Sequence, residues 1–130
     1  MILLDTNTVI FYLKGRESVV SRLQGSSRTE LAIPAVVAYE VEYGTPKIGP
    51  SRRRTLASDL LASLAQVPFD GAVARESARI RIDLEARGET IGPMDLLIAG
   101  TALSRGATLV TSNTQEFSRV RDLRLSDWTV

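Results

Sequence analysis

Short apolar runs that end in polar residues alternate along this chain with longer segments in which apolar residues recur at helical spacing. The short runs predict strands at 2–4, 31–33, 66–68 and 107–110, with a last strand within 123–130. The helical spacing predicts helices at 8–13, 18–24, 34–44, 54–64, 70–87 and 95–104. Strands that alternate with helices indicate an α/β fold with a central parallel sheet. At 130 residues, the chain is expected to form one domain over 1–130.

The same pattern also predicts the inward face of the longest helix and the positions of two loops. The residues of helix 70–87 expected to pack inward share a helical stripe: Ala74, Ser77, Ala78, Ile82 and Ala86. The segments 45–54 and 88–93 contain Pro and Gly and are expected to be loops.

Composition removes several kinds of chemistry. The chain has no Cys and no His, so thiolate sites, histidine bases and histidine-bound zinc are excluded. Carboxylates or the two lysines, Lys14 and Lys47, would have to carry out any catalysis. The net charge is only +1, so contact with a nucleic acid would need a local basic patch.

No apolar run approaches the ~18 residues expected of a membrane span, and the first residues lack the pattern of a signal peptide. A cytoplasmic protein without a membrane partner is therefore expected.

Asp5 follows the first predicted strand directly, in the stretch MILLDTNTVIFYL. An acid at this position commonly caps or begins a helix, and alone that interpretation is the more probable one. If Thr6 or Asn7 caps the helix instead, the Asp5 carboxylate is free to face the edge of the sheet. Residues 111–113 follow another predicted strand, and ligands gather where parallel strands end. Asp5 and 111–113 are therefore expected at the same edge.

Glu40 falls on an apolar helical stripe with Val36, Val37 and Val41, whereas Glu42 points elsewhere and is expected to be solvated. A carboxylate on an inward face is unfavourable unless it is paired, protonated or bound to a metal. A salt bridge to an arginine is the simplest explanation for Glu40.

Asp95 precedes a helix that is apolar nearly all round, where an acid in the first turn also favours the helix dipole. Glu116 lies in a polar stretch after a strand, where most acids are merely solvated. Taken together, however, four acids beside buried segments indicate a site for a hard divalent cation such as Mg²⁺. The polar residues expected to orient these carboxylates are Thr6, Asn7, Thr111 and Asn113.

These elements, in this order and spacing, resemble the PIN-domain ribonucleases, in particular the VapC toxins of bacterial toxin–antitoxin pairs. LLDTNTVI is similar to the opening strand with its first acid, and YEVEYG to the E-x-x-x-G element. IGPMDLLIAGTAL resembles the helix with the third acid, LVTSNTQEF the T-x-N-x-x-[DE]-F element, and LRLSDW the ending of these toxins. The resemblance covers essentially the whole chain.

The resemblance implies a three-layer α/β/α sandwich and an endoribonuclease dependent on Mg²⁺ or Mn²⁺. Asp5, Glu40, Asp95 and Glu116 would be the catalytic, metal-binding acids. It also implies a homodimer, inhibited by a VapB-like antitoxin that itself binds operator DNA. IGPMD and the DW ending are most similar to the branch that cleaves initiator tRNA in the anticodon stem-loop.

Positive charge for RNA could come from two groups of arginines. They are Arg52, Arg53 and Arg54 before the fourth helix, and Arg79, Arg81 and Arg87 on the long helix. For any single arginine a solvated ion pair, such as Arg79 with Asp83, is the more probable role. Tyr12, Tyr39 and Tyr43 could stack on bases, although such residues more often belong to the core or to an interface.

Two other functions fit parts of the sequence. A strand followed by Asp also resembles the haloacid-dehalogenase phosphatases, but their second acid is replaced here by Asn7. A catalytically inactive PIN-like module that binds RNA or protein is the non-enzymatic alternative.

Overall fold

The computed structural model describes residues 1–47 and 49–130, and within them five strands form one parallel sheet. The order of the strands across the sheet is β3-β2-β1-β4-β5. Their bounds are β1 Ile2–Leu4, β2 Leu31–Pro34, β3 Ala65–Val67, β4 Thr108–Val110 and β5 Arg124–Ser126. Each strand lies within a few residues of its predicted position, so the predicted parallel sheet is confirmed.

Helices connect every pair of consecutive strands. Their bounds are α1 Thr6–Leu13, α2 Glu17–Gln24, α3 Ala35–Gly44, α4 Ser51–Ser63, α5 Gly71–Arg87, α6 Pro93–Arg105 and α7 Thr114–Phe117. Right-handed crossovers from β1 outward to β3 place α1–α4 on one face, and the return through β4 to β5 places α5–α7 on the other. The α/β/α sandwich expected from the sequence is therefore confirmed.

The predicted loop at 45–54 is shorter than expected. A 3₁₀ turn occupies Thr45–Lys47, and α4 begins at Ser51 rather than Arg54. Residue 48 of that loop lies outside the described residues.

The inward face of α5 differs from the predicted one. Its buried residues are Val73, Ser77, Ile80 and Leu84, whereas Ile82 is 67% exposed. Two stripes of apolar residues compete on this helix, and the stripe with the larger side chains is buried because it removes more apolar surface from water. Ser77, which both stripes share, packs so closely against α6 that a Cβ at Gly100 would overlap its Oγ atom.

The strands at the middle of the sheet are covered on both faces. Leu3 and Leu4 of β1, and Leu109 and Val110 of β4, are fully buried. Among the described helices, none combines the length and apolar character needed to cross a membrane. The central strands therefore provide a rigid support for the residues that follow them.

Candidate active site

The site begins where the two central strands end. Leu4 of β1 pairs with Val110 of β4, and the Asp5 N–H donates to the Val110 carbonyl at 3.1 Å. Asp5 and Thr111 therefore follow neighbouring strands at one edge of the sheet, as the sequence predicts.

Asp5 is itself the N-cap of α1. Its Oδ1 accepts a hydrogen bond from the Thr8 N–H at 2.8 Å, so the interpretation of Asp5 as a helix cap is confirmed and the alternative, capping by Thr6 or Asn7, is wrong. Burial raises the pKa of the Asp5 carboxyl, while hydrogen bonds from the Thr111 side chain and from Thr8 oppose that rise. Thr8 was not among the candidates from the sequence, although a position three residues after an N-cap acid is where its partner N–H is expected.

Glu40 is half-buried on α3 and faces the same edge. The Thr6 hydroxyl donates to Glu40 Oε1 at 2.6 Å, which connects α1 to α3. The salt bridge expected for Glu40 is not found: none of the ion pairs between described residues includes it. Glu42 is exposed, as predicted.

Asp95 lies in the first turn of α6, whose N-cap is Gly92. Its carboxyl is partly buried, and burial together with the negative charges of Glu116, Glu40 and Asp5 raises its pKa to about 6. The three other acids therefore act electrostatically on Asp95, which places all four around one region.

Glu116 lies on α7, and both of its oxygens have partners. Asn113 Nδ2 donates to Glu116 Oε2 at 2.8 Å, and the Gly92 N–H donates to Glu116 Oε1 at 3.2 Å. The hydrogen bond from Asn113 is the main reason that the pKa of Glu116 is lowered. Asn113 in turn is oriented by Thr111, whose Oγ1 accepts from the Asn113 N–H at 3.0 Å.

Most of these residues line one small cleft of about 200 Å³. Its lining consists of Asp5, Thr6, Asn7, Glu40, Asp95, Ile98, Asn113 and Phe117. Ile98 and Phe117 form apolar walls of the cleft, and nothing in the sequence distinguishes them from other core residues. Glu116 contacts this cleft through Asn113.

The donor set fits a hard cation, because it consists of carboxylate, hydroxyl and amide oxygens. In residues 1–47 and 49–130, however, no three acids are grouped so that they could hold a metal ion as they stand. Each of Asp5, Glu40 and Glu116 is held by its own hydrogen-bond partner, and like charges without a cation repel one another. A bound ion would therefore need water or small side-chain movements to complete its coordination.

The candidate arginines lie apart from this lining. Arg52 and Arg53 line a separate groove of about 590 Å³ with residues of α1, α2 and α4. On α5, Arg79 pairs with Glu76 at 2.8 Å rather than with Asp83 as expected. Arg81 pairs with Glu85, and Arg87 pairs with Asp83 and Glu89. Arg54 is exposed, and RNA binding by any of the six stays a prediction.

The tyrosines divide into two groups. Tyr12 is buried in the core, so its ring is not available for stacking on a base. Tyr39 and Tyr43 are exposed on α3, and the Lys47 ammonium lies 4.0 Å from the Tyr43 ring centre.

Comparison with known proteins identifies the family. The sequence profile of the PIN domain matches residues 2–123. The tRNA(fMet)-specific endonuclease VapC of Shigella flexneri is 35% identical over 127 residues, which is 97% of this chain and 96% of that protein. This chain belongs to the PIN-domain family, among its VapC members.

Solved structures agree with this assignment. The DNA-bound VapBC of Salmonella typhimurium contains a chain with a TM-score of 0.88 and 33% identity, and the match covers 98% of this chain and 97% of that one. VapBC2 of Rickettsia felis, bound to a DNA fragment from its promoter, gives a TM-score of 0.85 and 31% identity, with 98% and 99% covered. The fold described above is therefore that of VapC chains.

Proposed function

We propose that this protein is the toxin of a toxin–antitoxin pair and acts as an endoribonuclease that requires Mg²⁺ or Mn²⁺. The observation that carries the proposal is the convergence of Asp5, Glu40 and Asp95 on one cleft, with Glu116 beside it. None of the described ion pairs neutralises these four acids. The names of relatives as ribonucleases and endonucleases support a nuclease.

In the proposed mechanism, the acids of the site would hold the cation, and the neighbouring threonines fix the acids. Asp5, Glu40 and Asp95 would hold the cation, directly or through water, and Glu116 would complete the site. When bound, a divalent cation neutralises charge on the phosphodiester and lowers the pKa of water. Thr6 fixes Glu40, and Thr111 helps to fix Asp5.

Transfer RNA is the proposed substrate, and initiator tRNA cut in its anticodon stem-loop is the specific candidate. The support is the name of the Shigella flexneri relative, which is specific for tRNA(fMet). Sequencing of RNA ends after a brief pulse of expression, with wild type compared against Asp5→Asn, tests this target.

A VapB-like antitoxin is the proposed partner, and the complex would bind operator DNA through that antitoxin. The related chains from Salmonella typhimurium and Rickettsia felis occur in VapBC complexes with DNA, which supports this assembly.

A binding-only PIN-like module is the second candidate. It is favoured by the finding that no three described acids are grouped to hold a metal ion as they stand. An RNA-cleavage assay distinguishes this binding-only module from an active endoribonuclease.

The chain offers a matched pair of variants for this assay. Glu40→Gln removes an acid of the cleft, whereas Glu42→Gln removes an exposed acid two positions further along the same helix. We expect Glu40→Gln to lower the rate of tRNA cleavage by more than about 100-fold, beyond the range for groups that only orient ligands. Glu42→Gln should cleave at the wild-type rate. EDTA should stop cleavage by the wild type and by Glu42→Gln. Equal cleavage by the Glu40→Gln and wild-type proteins would favour the binding-only module.

A further inference from the structure

Arg87, at the C-terminal end of α5, connects three separate segments of the chain. Its Nη2 donates to Asp83 Oδ2 at 2.7 Å on its own helix, and its Nη1 donates to Glu89 Oε2 at 3.0 Å in the loop before α6. The same Nη2 donates to the carbonyl of Arg119, just after α7, at 2.6 Å. Only 26% of the Arg87 side chain is exposed. This arginine therefore holds the chain together at a point that the sequence suggested was open to RNA.

The loop at 88–92 is held at three points along its length. Glu89 is bound by Arg87, and the Thr90 carbonyl accepts from Arg119 Nη1 at 3.0 Å. The Gly92 N–H donates to Glu116 at 3.2 Å. Arg119 and Glu116 belong to one short segment, and Arg87 binds that segment as well as the loop.

Each of these segments is connected to one of the four acids of the site. Gly92 is the N-cap of α6, so the position of the loop fixes the first turn of that helix and the Asp95 within it. The segment that contains Arg119 begins with α7, which carries Glu116. The Gly92 N–H donates to Glu116 Oε1, and a Cβ at Gly92 would lie 3.6 Å from Asp95 Oδ2, so both carboxylates lie close to Gly92. Like charges this close to each other repel. A contact that holds both segments opposes this repulsion.

We propose that Arg87 is a positioning residue that sets the spacing between Asp95 and Glu116, and thereby the affinity of the cleft for a divalent cation. This inference rests on the proposed function. A guanidinium is suited to the role because its planar fork donates in several fixed directions at once. Lysine keeps the charge, but its three N–H donors all lie on one nitrogen. Arg87 reaches Glu89 from Nη1, and Asp83 and the Arg119 carbonyl from Nη2, and a single ammonium does not reproduce this spacing.

Mn²⁺ binding, measured by electron paramagnetic resonance on the full chain, tests the proposal without depending on activity. We expect Arg87→Lys to weaken Mn²⁺ binding about 10-fold, the lower end of the effect of groups that orient ligands. With RNA as substrate, kcat should fall while KM stays close to the wild-type value, because Arg87 is held inward and does not line the cleft.

Arg81→Lys is the matched control. Arg81 lies on the same helix, is 67% exposed and pairs with Glu85, which belongs to neither connected segment. Its variant should bind Mn²⁺ as the wild type does. Glu89→Gln is a second test, because it removes the carboxylate that Arg87 Nη1 binds in the loop and should weaken Mn²⁺ binding in the same direction. Thermal unfolding of each variant shows that the measurements are made on folded protein.

The outcomes are distinguishable. Weakened Mn²⁺ binding by folded Arg87→Lys, with Arg81→Lys unchanged, supports the proposal. Wild-type affinity in Arg87→Lys overturns it and leaves the proposed function intact. If Arg87→Lys does not fold, Glu89→Gln decides in the same way. A wild-type protein that binds no Mn²⁺ overturns the proposed function, and this inference with it.

Discussion

At the scale of single residues, the acids of the cleft differ in how they are held. Glu116 has partners on both oxygens and a lowered pKa, whereas Asp95 is partly buried among negative charges and has a raised one. No described hydrogen bond from a side chain or loop reaches the Asp95 carboxylate to offset its desolvation. The Asp95 carboxyl is therefore the acid whose charge the folded protein tolerates least in the absence of a cation.

This difference predicts a pH dependence of stability in EDTA. The pKa of Asp95 is about 6 in the folded chain against an ordinary value of 3.8, so its contribution to stability is present below 3.8 and is lost as pH rises through 6. The amide of Asn does not ionise in this pH range. Asp95→Asn should therefore unfold at a higher temperature than the wild type at about pH 7.5, and this advantage should shrink at about pH 4.

Thermal denaturation followed by circular dichroism measures both proteins at the two pH values. The exposed Asp59 on α4 provides the control variant, Asp59→Asn, whose difference from the wild type should not follow the same pH dependence. An Asp95→Asn protein that is less stable than the wild type at neutral pH would contradict the prediction.

At the scale of elements, the contact between α5 and α6 fixes the middle of the helix that carries Asp95. Ser77 and Gly100 meet where these helices cross, and a Cβ at position 100 would lie 2.9 Å from the Ser77 backbone nitrogen. Backbone atoms cannot move aside as a flexible side chain can, so the helices would have to separate.

Gly100→Ala should therefore destabilise the protein by about 1–3 kcal/mol, the usual effect of overpacking a well-packed core. Gly44→Ala is the control, because a Cβ at the end of α3 meets no atom within 4 Å and Ala favours a helix. Urea denaturation of both variants measures the free energies of unfolding. A Gly100→Ala protein as stable as Gly44→Ala would show that this crossing is looser than described.

The sequence predicted the positions of the central strands, but not which face of α5 is buried. The positions of β1, β4 and Asp5 were predictable because a short apolar run that ends in polar residues is a local pattern. The inward face of α5 was not predictable. This helix has two apolar stripes, and only the neighbouring elements determine which stripe is buried. The bond between Gly92 and Glu116 joins residues 24 positions apart and depends on the completed fold. Four acids could therefore be named from the sequence, but not the contacts that position them.

At the scale of the whole molecule, the cleft joins elements that are distant in sequence. Asp5 follows the central strand, Glu40 lies on a helix of one layer and Asp95 on a helix of the other. A cation bound among them would connect both helical layers to the sheet, and it would bind the folded chain only.

Mg²⁺ or Mn²⁺ should therefore raise the unfolding temperature. A ligand that binds only the folded state adds about 2.7 kcal/mol of stability at a concentration 100 times its dissociation constant. We expect this increase in the wild type and in Glu42→Gln, and expect it to be lost in Glu40→Gln. Calorimetric scans with and without Mn²⁺ measure it, and an equal increase in all three proteins would place the ion elsewhere.

The double role of Asp5 has a practical consequence. Its carboxylate both lines the cleft and caps α1 through the Thr8 N–H. An asparagine can accept the same hydrogen bond through its amide oxygen, whereas an alanine cannot. Asp5→Asn thus removes the carboxylate and keeps the helix cap, whereas Asp5→Ala removes both. Only Asp5→Asn tests the role of the carboxylate in the cleft without removing the cap of α1. Asp5→Asn is therefore the variant to choose when a folded protein without this carboxylate is needed.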